Sequence, residues 1–217
     1  MTILLSDPRV AAVPLVECGE PLVRLDPSFG PAGARVRTGL ALRLRRAQEA
    51  LPAGIGLRVV EGHRSVADQR AIIARYAAEV AAAHPTADAA ERHHLTSRFV
   101  SPVEVAPHVA GAAVDLTLVD LRRRDGDRRP GVELDLGTPI DATPEQSGGR
   151  CFTDATAISH RARAHRALLA AVLTPVGLVN YPTEWWHWSH GDRYWALLTE
   201  AEAAPYGPVG LRAGVAA

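Results

Sequence analysis

His108-Val109-Ala110-Gly111-Ala112-Ala113-Val114-Asp115-Leu116-Thr117-Leu118-Val119 runs from a turn into a strand. Val114, Leu116 and Leu118 alternate with Asp115, Thr117 and Val119, the period-two pattern of a strand with one apolar face, and Asp115 points to the other face. In one regular strand His108 and Asp115, seven positions apart, fall on opposite faces. They can converge only where the chain bends, and Gly111 supplies the backbone freedom to bend it. The small Ala112 and Ala113 let neighbouring backbones approach.

Upstream, Leu57, Val59 and Val60 form a short apolar run between Gly56 and Gly62, which predicts a strand that delivers Glu61, His63 and Arg64 to its end. A helix is expected before it, from Ala34 to about Leu51, with Leu40, Leu44, Ala47 and Leu51 on one face and Pro52 and Gly54 ending it. After it, Ser65 and Asp68 resemble a capping box, and Ile72, Ile73, Tyr76 and Val80 extend a helix to about Ala83, where Pro85 stops it. Thr86 is expected to cap a further short helix reaching Arg98, and Pro102 and Pro107 mark a loop. Downstream, the charged run Arg122 to Pro130 reads as an exposed turn leading to an apolar run at Val132 to Leu136. A last helix is expected from about Ala157 to Leu173, followed by Gly177 and short strands through Val179, Tyr181 and the Trp cluster. Helices and strands interleave without repeat or linker, so one α+β domain is expected, with a small, mostly antiparallel sheet flanked by helices. Residues 1–32 form an irregular arm of that domain, 33–200 its body and 201–217 a C-terminal tail.

The 217 residues are 47% hydrophobic and 22% charged, and 24 basic side chains balance 24 acidic ones, which excludes disorder for most of the chain. All the cations are arginine, as biased codon usage produces. A neutral chain has no global field to hold a polyanion, so no nucleic-acid partner is expected; the mixed signs of Arg122 to Pro130 argue against a local patch. No apolar run is long enough to cross a membrane and the first residues lack a signal-peptide pattern, so a cytoplasmic protein without membrane insertion is expected. Cys18 and Cys151 define neither a disulfide framework nor a cysteine metal site. Oligomeric state is left open.

His84, His93, His94, His160 and His165 lie in helical or polar stretches where an imidazole needs no special role. Glu184-Trp185-Trp186-His187 differs: a carboxylate and an imidazole stand three apart among aromatics that can exclude water. Hydrolytic zinc sites hold the metal with three His or carboxylate ligands and leave a fourth position for water. His108, Asp115 and His187 would fill those three places, and Glu184 would be left free to take a proton from that water and pass it to a leaving amine.

Together the two segments resemble the zinc DD-peptidases, whose pattern S-x-H-x-x-G-x-A-x-D followed by E-x-W-H is met by His108, Gly111, Ala113, Asp115, Glu184, Trp186 and His187. Within that group the chain is similar to D-alanyl-D-alanine dipeptidases of the vancomycin-resistance type. The likeness runs through Val114-Asp115-Leu116-Thr117-Leu118, Gly137-Thr138-Pro139-Ile140-Asp141 and Tyr181-Pro182-Thr183-Glu184-Trp185-Trp186-His187, over roughly residues 35 to 198. The resemblance implies a DD-peptidase-like fold shared with hedgehog-type domains. It implies one Zn²⁺ per chain held by His108, Asp115 and His187, and hydrolysis of a small dipeptide substrate, D-Ala-D-Ala by analogy. It also implies roles for Glu184 as base and acid, Arg64 at the scissile carbonyl, Asp141 on the substrate's free ammonium, and Trp186 as a substrate contact beside the base. Two departures stand out: Ala106 replaces the family's serine two residues before the first ligand, and the N-terminal arm lacks the usual Tyr-containing, Asn-Phe pattern. These changes keep open a zinc peptidase for another cell-wall or natural-product dipeptide, or a non-catalytic zinc-containing peptide-binding module.

Overall fold

The structure, a computed structural model, describes residues 2–125 and 129–210. Its centre is an antiparallel sheet of β3 (Ile55–Glu61), β4 (Ala113–Asp125), β5 (Arg129–Glu133), β6 (Val179–Asn180) and β7 (His187–Ser189). The order is β3-β4-β7-β6, and β5 also pairs with β4. Val114, Leu116 and Leu118 of β4 join Leu57 and Val59 of β3 in one core with Leu40, Leu44 and Ala47 of α2 (Thr38–Glu49) and Leu169, Val172 and Leu173 of α6 (His160–Leu173). Each fully buried leucine there stabilises the fold by about 1.5–3 kcal/mol relative to an exposed one. The helices and antiparallel sheet form the single α+β domain expected.

The register of the sheet builds the site. Asp115 pairs with Glu61 of β3 on one side and with His187 of β7 on the other. Cross-strand partners project to the same face, so these three side chains form a row across the sheet. A bulge between Val59 and Glu61 displaces Val60, which is 43% exposed, and re-aims Glu61. Opposite the row runs α3 (Val66–Ala83), where Ser65 accepts from the Asp68 amide as expected, and α4 (Ala89–Ser97) packs against α3.

Several expectations are corrected. α2 starts at Thr38, because Arg35–Arg37 is instead β2, paired with β1 (Leu22–Arg24); ladder bonds to a distant strand outweigh helical periodicity there. Asp88, not Thr86, caps α4 by accepting from the Glu91 amide. α6 begins at His160, where Ser159 accepts from the Ala162 amide. The charged run is mostly ladder: β4 continues to Asp125 and β5 resumes at Arg129, while residues 126–128 and the side chains of 123–130, on which the reading of an exposed turn or patch depends, lie outside the described residues.

The N-terminal arm carries the short helix α1 (Pro8–Ala12), capped by Asp7, and bridges the C-terminal segment through Leu15 and Ala204. Residues 204–209 pack back on the domain, with the Val209 amide donating to the Val109 carbonyl. Cys18 and Cys151 are both free. Among the described residues no helix is long and apolar enough to cross a membrane.

Candidate active site

The bend anticipated at Gly111 is present. Its φ is +65°, and the Gly111 and Ala112 amides donate to the His108 and Pro107 carbonyls, closing a tight turn before β4. The turn lets His108 reach over the row on the sheet. His108 Nε2 lies 3.3 Å from Asp115 Oδ1 and 3.1 Å from His187 Nδ1, and His187 Nδ1 lies 3.1 Å from Asp115 Oδ1. All three side chains are buried. No other group of three or more His, Cys, Asp or Glu among the described residues is arranged to hold a metal.

Protonation prepares the cluster for a cation. His108 Nδ1 lies 2.8 Å from the Gly62 carbonyl and can only donate to it, so in the neutral ring Nε2 carries the lone pair facing inward. Burial lowers the His108 pKa but the Asp115 carboxylate raises it by more, so a cation binding here takes the place of that second proton. Gly62 has to be glycine for this contact, since a Cβ there would sit 2.6 Å from the Arg35 carbonyl. Burial would raise the pKa of Asp115, but the charges and hydrogen bonds of His108 and His187 outweigh it and hold the carboxyl well below the usual carboxylate range. Burial lowers the pKa of His187 and keeps its ring neutral. Two inward nitrogens and an ionised carboxylate oxygen form an N₂O donor set suited to Zn²⁺.

Glu184 stands at the rim of this cluster, its Oε2 3.9 Å from His187 Nδ1. The 184–187 turn is closed by the His187 amide donating to the Glu184 carbonyl, and the Asn180 side-chain amide donates to the carbonyls of both residues. Burial raises the Glu184 pKa well above its ordinary value, and the neighbouring charges of Asp115 and Asp141 add to the effect. Arg64 is held by a two-pronged ion pair with Glu61 and by the Gln69 side-chain oxygen, while Gln69 donates its amide to the Ser101 carbonyl. A guanidinium fixed on two sides is a preorganised donor.

These groups share one cleft with a cavity of about 340 Å³, lined by Arg64, His108, Asp115, Asp141, Glu184 and His187 together with α3 residues such as Tyr76. That volume is at the small end of the ~300–1,000 Å³ range of ligand clefts. Asp141 stands in the left-handed region at φ 64°, and burial, then the charges of Asp115 and Glu61, raise its pKa. Of the residues to which the resemblance gives a role in the site, Trp186 alone does not line the cleft: it is 1% exposed and packed in the core. Sequence reading passed over the Glu61 and Gln69 supports of Arg64 and the Asn180 clasp. The signal for Gln69 was a polar side chain on the inner face of an amphipathic helix.

A family model described as D-ala-D-ala dipeptidase, Peptidase M15, matches residues 37–201. A D-alanyl-D-alanine dipeptidase of Synechocystis sp. is 26% identical over 224 residues, covering 85% of this chain and 87% of the relative. Among solved structures, a mutant of the vancomycin-resistance D,D-pentapeptidase VanY in complex with Zn(II) superposes with a TM-score of 0.51 at 16% identity, covering 92% of each chain. VanYB in complex with D-alanine-D-alanine gives a TM-score of 0.51 at 16% identity, covering 89% of this chain and 94% of the other. At that identity the likeness is one of fold.

Proposed function

The chain belongs to the D-Ala-D-Ala dipeptidase family of peptidases, and from that membership we propose that it hydrolyses a free dipeptide, D-Ala-D-Ala first among the candidates, with one zinc ion held by His108 Nε2, Asp115 Oδ1 and His187 Nδ1. The observation that carries this reading is the convergence of the three donor atoms with Glu184, Arg64 and Asp141 on one small cleft. When bound, zinc supplies Lewis-acid polarisation of the scissile carbonyl and lowers the pKa of water.

The side chains divide the remaining work. Glu184 takes a proton from the water whose oxygen attacks the carbonyl carbon. As the C–N bond breaks it returns that proton to the departing amine nitrogen. Burial, the largest cause of its raised pKa, favours the protonated form that the second of these transfers needs. The Arg64 guanidinium faces the charge that develops on the carbonyl oxygen. Asp141 receives the substrate's free ammonium and favours a dipeptide over a longer chain.

Ala106 favours a second reading within the same chemistry. It stands two residues before His108 where family members carry a serine, and although it is buried and outside the cleft lining, the loss of that hydroxyl beside the first ligand supports a dipeptide other than D-Ala-D-Ala, of cell-wall or natural-product origin. The test is release of D-alanine from D-Ala-D-Ala by metal-quantified protein, beside chelated protein and Glu184→Gln. Chelator-sensitive release reduced by about 10²–10⁴-fold in the variant is expected, the range for removal of a general acid–base. One zinc per chain without alanine release moves the search to other dipeptides, and tight peptide binding with no turnover on any of them identifies a binding module.

A further inference from the structure

Arg166 lies on the buried face of α6, is 5% exposed, and makes no ion pair among the described residues. Its guanidinium is spent on backbone instead. Nε donates to the Leu136 carbonyl at 2.7 Å, Nη1 to Phe152 at 2.6 Å and Thr153 at 3.3 Å, and Nη2 to Arg150 at 2.8 Å. Burial pulls its pKa from 12.5 down to about 10, which leaves it charged at neutral pH. A buried charge without a counter-ion is costly, and here partial charges of four carbonyls offset that cost.

The four carbonyls belong to the two ends of one loop, which carries the single-turn helix α5 (Pro144–Ser147). Leu136 opens it, Arg150, Phe152 and Thr153 close it, and the intervening residues Asp141, Thr143 and Gln146 line the cleft. The guanidinium also lies 5.6 Å over the Trp185 ring, whose Nε1 donates to Thr138 Oγ1 at 2.8 Å and whose backbone amide donates to the Cys151 carbonyl. Glu184 is the residue just before Trp185. Asp141 sits at φ 64°, a left-handed turn conformation that aspartate tolerates better than most residues, so the wall can carry it at this bend.

We propose that Arg166 is a positioning residue that clamps the 136–153 loop shut and so fixes the cleft wall carrying Asp141, setting the enzyme's selectivity for a substrate with a free amino terminus. This rests on the reading of Asp141 given above. A lysine cannot replace it, because the ammonium is a point donor whereas the planar fork spans both ends of the loop.

The test compares zinc-loaded wild-type protein with Arg166→Lys, which keeps the charge, and with Thr138→Val, which cuts only the Trp185 tie. Turnover is measured on a free dipeptide and its N-acetyl derivative, and amide hydrogen exchange is followed over 137–150. In Arg166→Lys the KM for the free dipeptide is expected to rise about tenfold or more with kcat changed far less, as loss of a charged contact implies. The preference for the free over the acetylated substrate should shrink, and loop amides should exchange faster. Thr138→Val should move the same readouts in the same direction by less. Equal losses on both substrates, or unchanged exchange in the loop, would reduce Arg166 to a fold-stabilising residue and overturn the proposal. If wild-type protein turns over no dipeptide, the reading of the site falls, the proposed selectivity falls with it, and exchange alone decides whether the clamp exists.

Discussion

His108 Nε2 and His187 Nδ1 lie 3.1 Å apart although 79 residues separate them in the chain. The Gly62 carbonyl commits the other His108 nitrogen as a donor, so two nitrogens and the Asp115 oxygen meet with more lone pairs than protons to share. A divalent cation resolves that excess. Wild-type protein should therefore bind one zinc, and zinc at a thousand times its dissociation constant should stabilise the fold by about 4 kcal/mol. For a chain of this length that corresponds to about 10 °C in Tm, at ~2–4 °C per kcal/mol. His187→Ala should stay folded and show no zinc-dependent shift. A His187→Ala protein whose Tm still rises with zinc would place the metal elsewhere.

Gly111 makes the His108–Asp115 approach possible, and its replacement should act on metal affinity as well as stability. At φ +65° a Cβ would stand 2.3 Å from Leu22 Cδ2. Left-handed backbone costs a non-glycine residue roughly 1–3 kcal/mol, and the contact with Leu22 adds to it. Gly111→Ala should lower Tm and weaken zinc binding in a chelator competition. Adding Leu22→Ala should recover the part due to the contact while leaving the backbone part. Wild-type zinc affinity in Gly111→Ala would show that the turn does not set the ligand geometry.

The candidate ligands were legible through the family pattern that joins the two segments, since a histidine before a strand, or an acid near a histidine, says little alone. The supports were not. Arg166 sits in a helix where amphipathic periodicity reports which residues are apolar, not that one arginine is turned inward onto carbonyls. Glu61 carries no signal until the register pairs it with Asp115. β2 lies where the periodicity predicts helix, because its partner strand is a dozen residues away and such pairing leaves no local periodicity. Trp186 belongs to the motif yet is sealed in the core, because the motif marks the turn as a unit and does not say which of its side chains meets the cleft.

Arg37 ties the arm and the C-terminal segment to the turn that carries His108. Its side chain is 6% exposed and donates to Ala110 at 2.9 Å, to Gly207 at 3.0 Å and through two nitrogens to Glu17 at 3.0 Å each. Its backbone amide donates to the Gly111 carbonyl. Removing one partner of a buried charged network costs about 3–5 kcal/mol, and Arg37→Met should fall near the lower limit because Glu17 is 41% exposed and regains water. Glu17→Gln should cost about 1 kcal/mol, since the carbonyl contacts of Arg37 survive. Denaturant unfolding of both variants checks the order, and equal losses would show that the ion pair rather than the carbonyl contacts fixes the arm.

His190 should make stability fall in mild acid. Its Nδ1 lies 2.9 Å from the Gly177 carbonyl, and its ring packs edge-on against Trp195 at 4.6 Å between centroids. Burial pulls its pKa from 6.5 down to about 4, with the Arg43 charge adding to the shift and the Gly177 bond and Glu20 opposing it. The folded ring is therefore neutral at pH 5, where the unfolded chain has already bound a proton. Stability from this group is complete above pH 6.5 and is lost as the pH falls through 4, reaching about 3 kcal/mol in all and about 2 kcal/mol by pH 5. Denaturant unfolding of chelated wild-type and His190→Gln protein at pH 7.5 and pH 5 isolates this term, because the other titrating groups are shared. The stability gap between the two proteins should close by about 2 kcal/mol on going to pH 5. A gap that stays constant would mean that His190 titrates in the fold as it does in the unfolded chain.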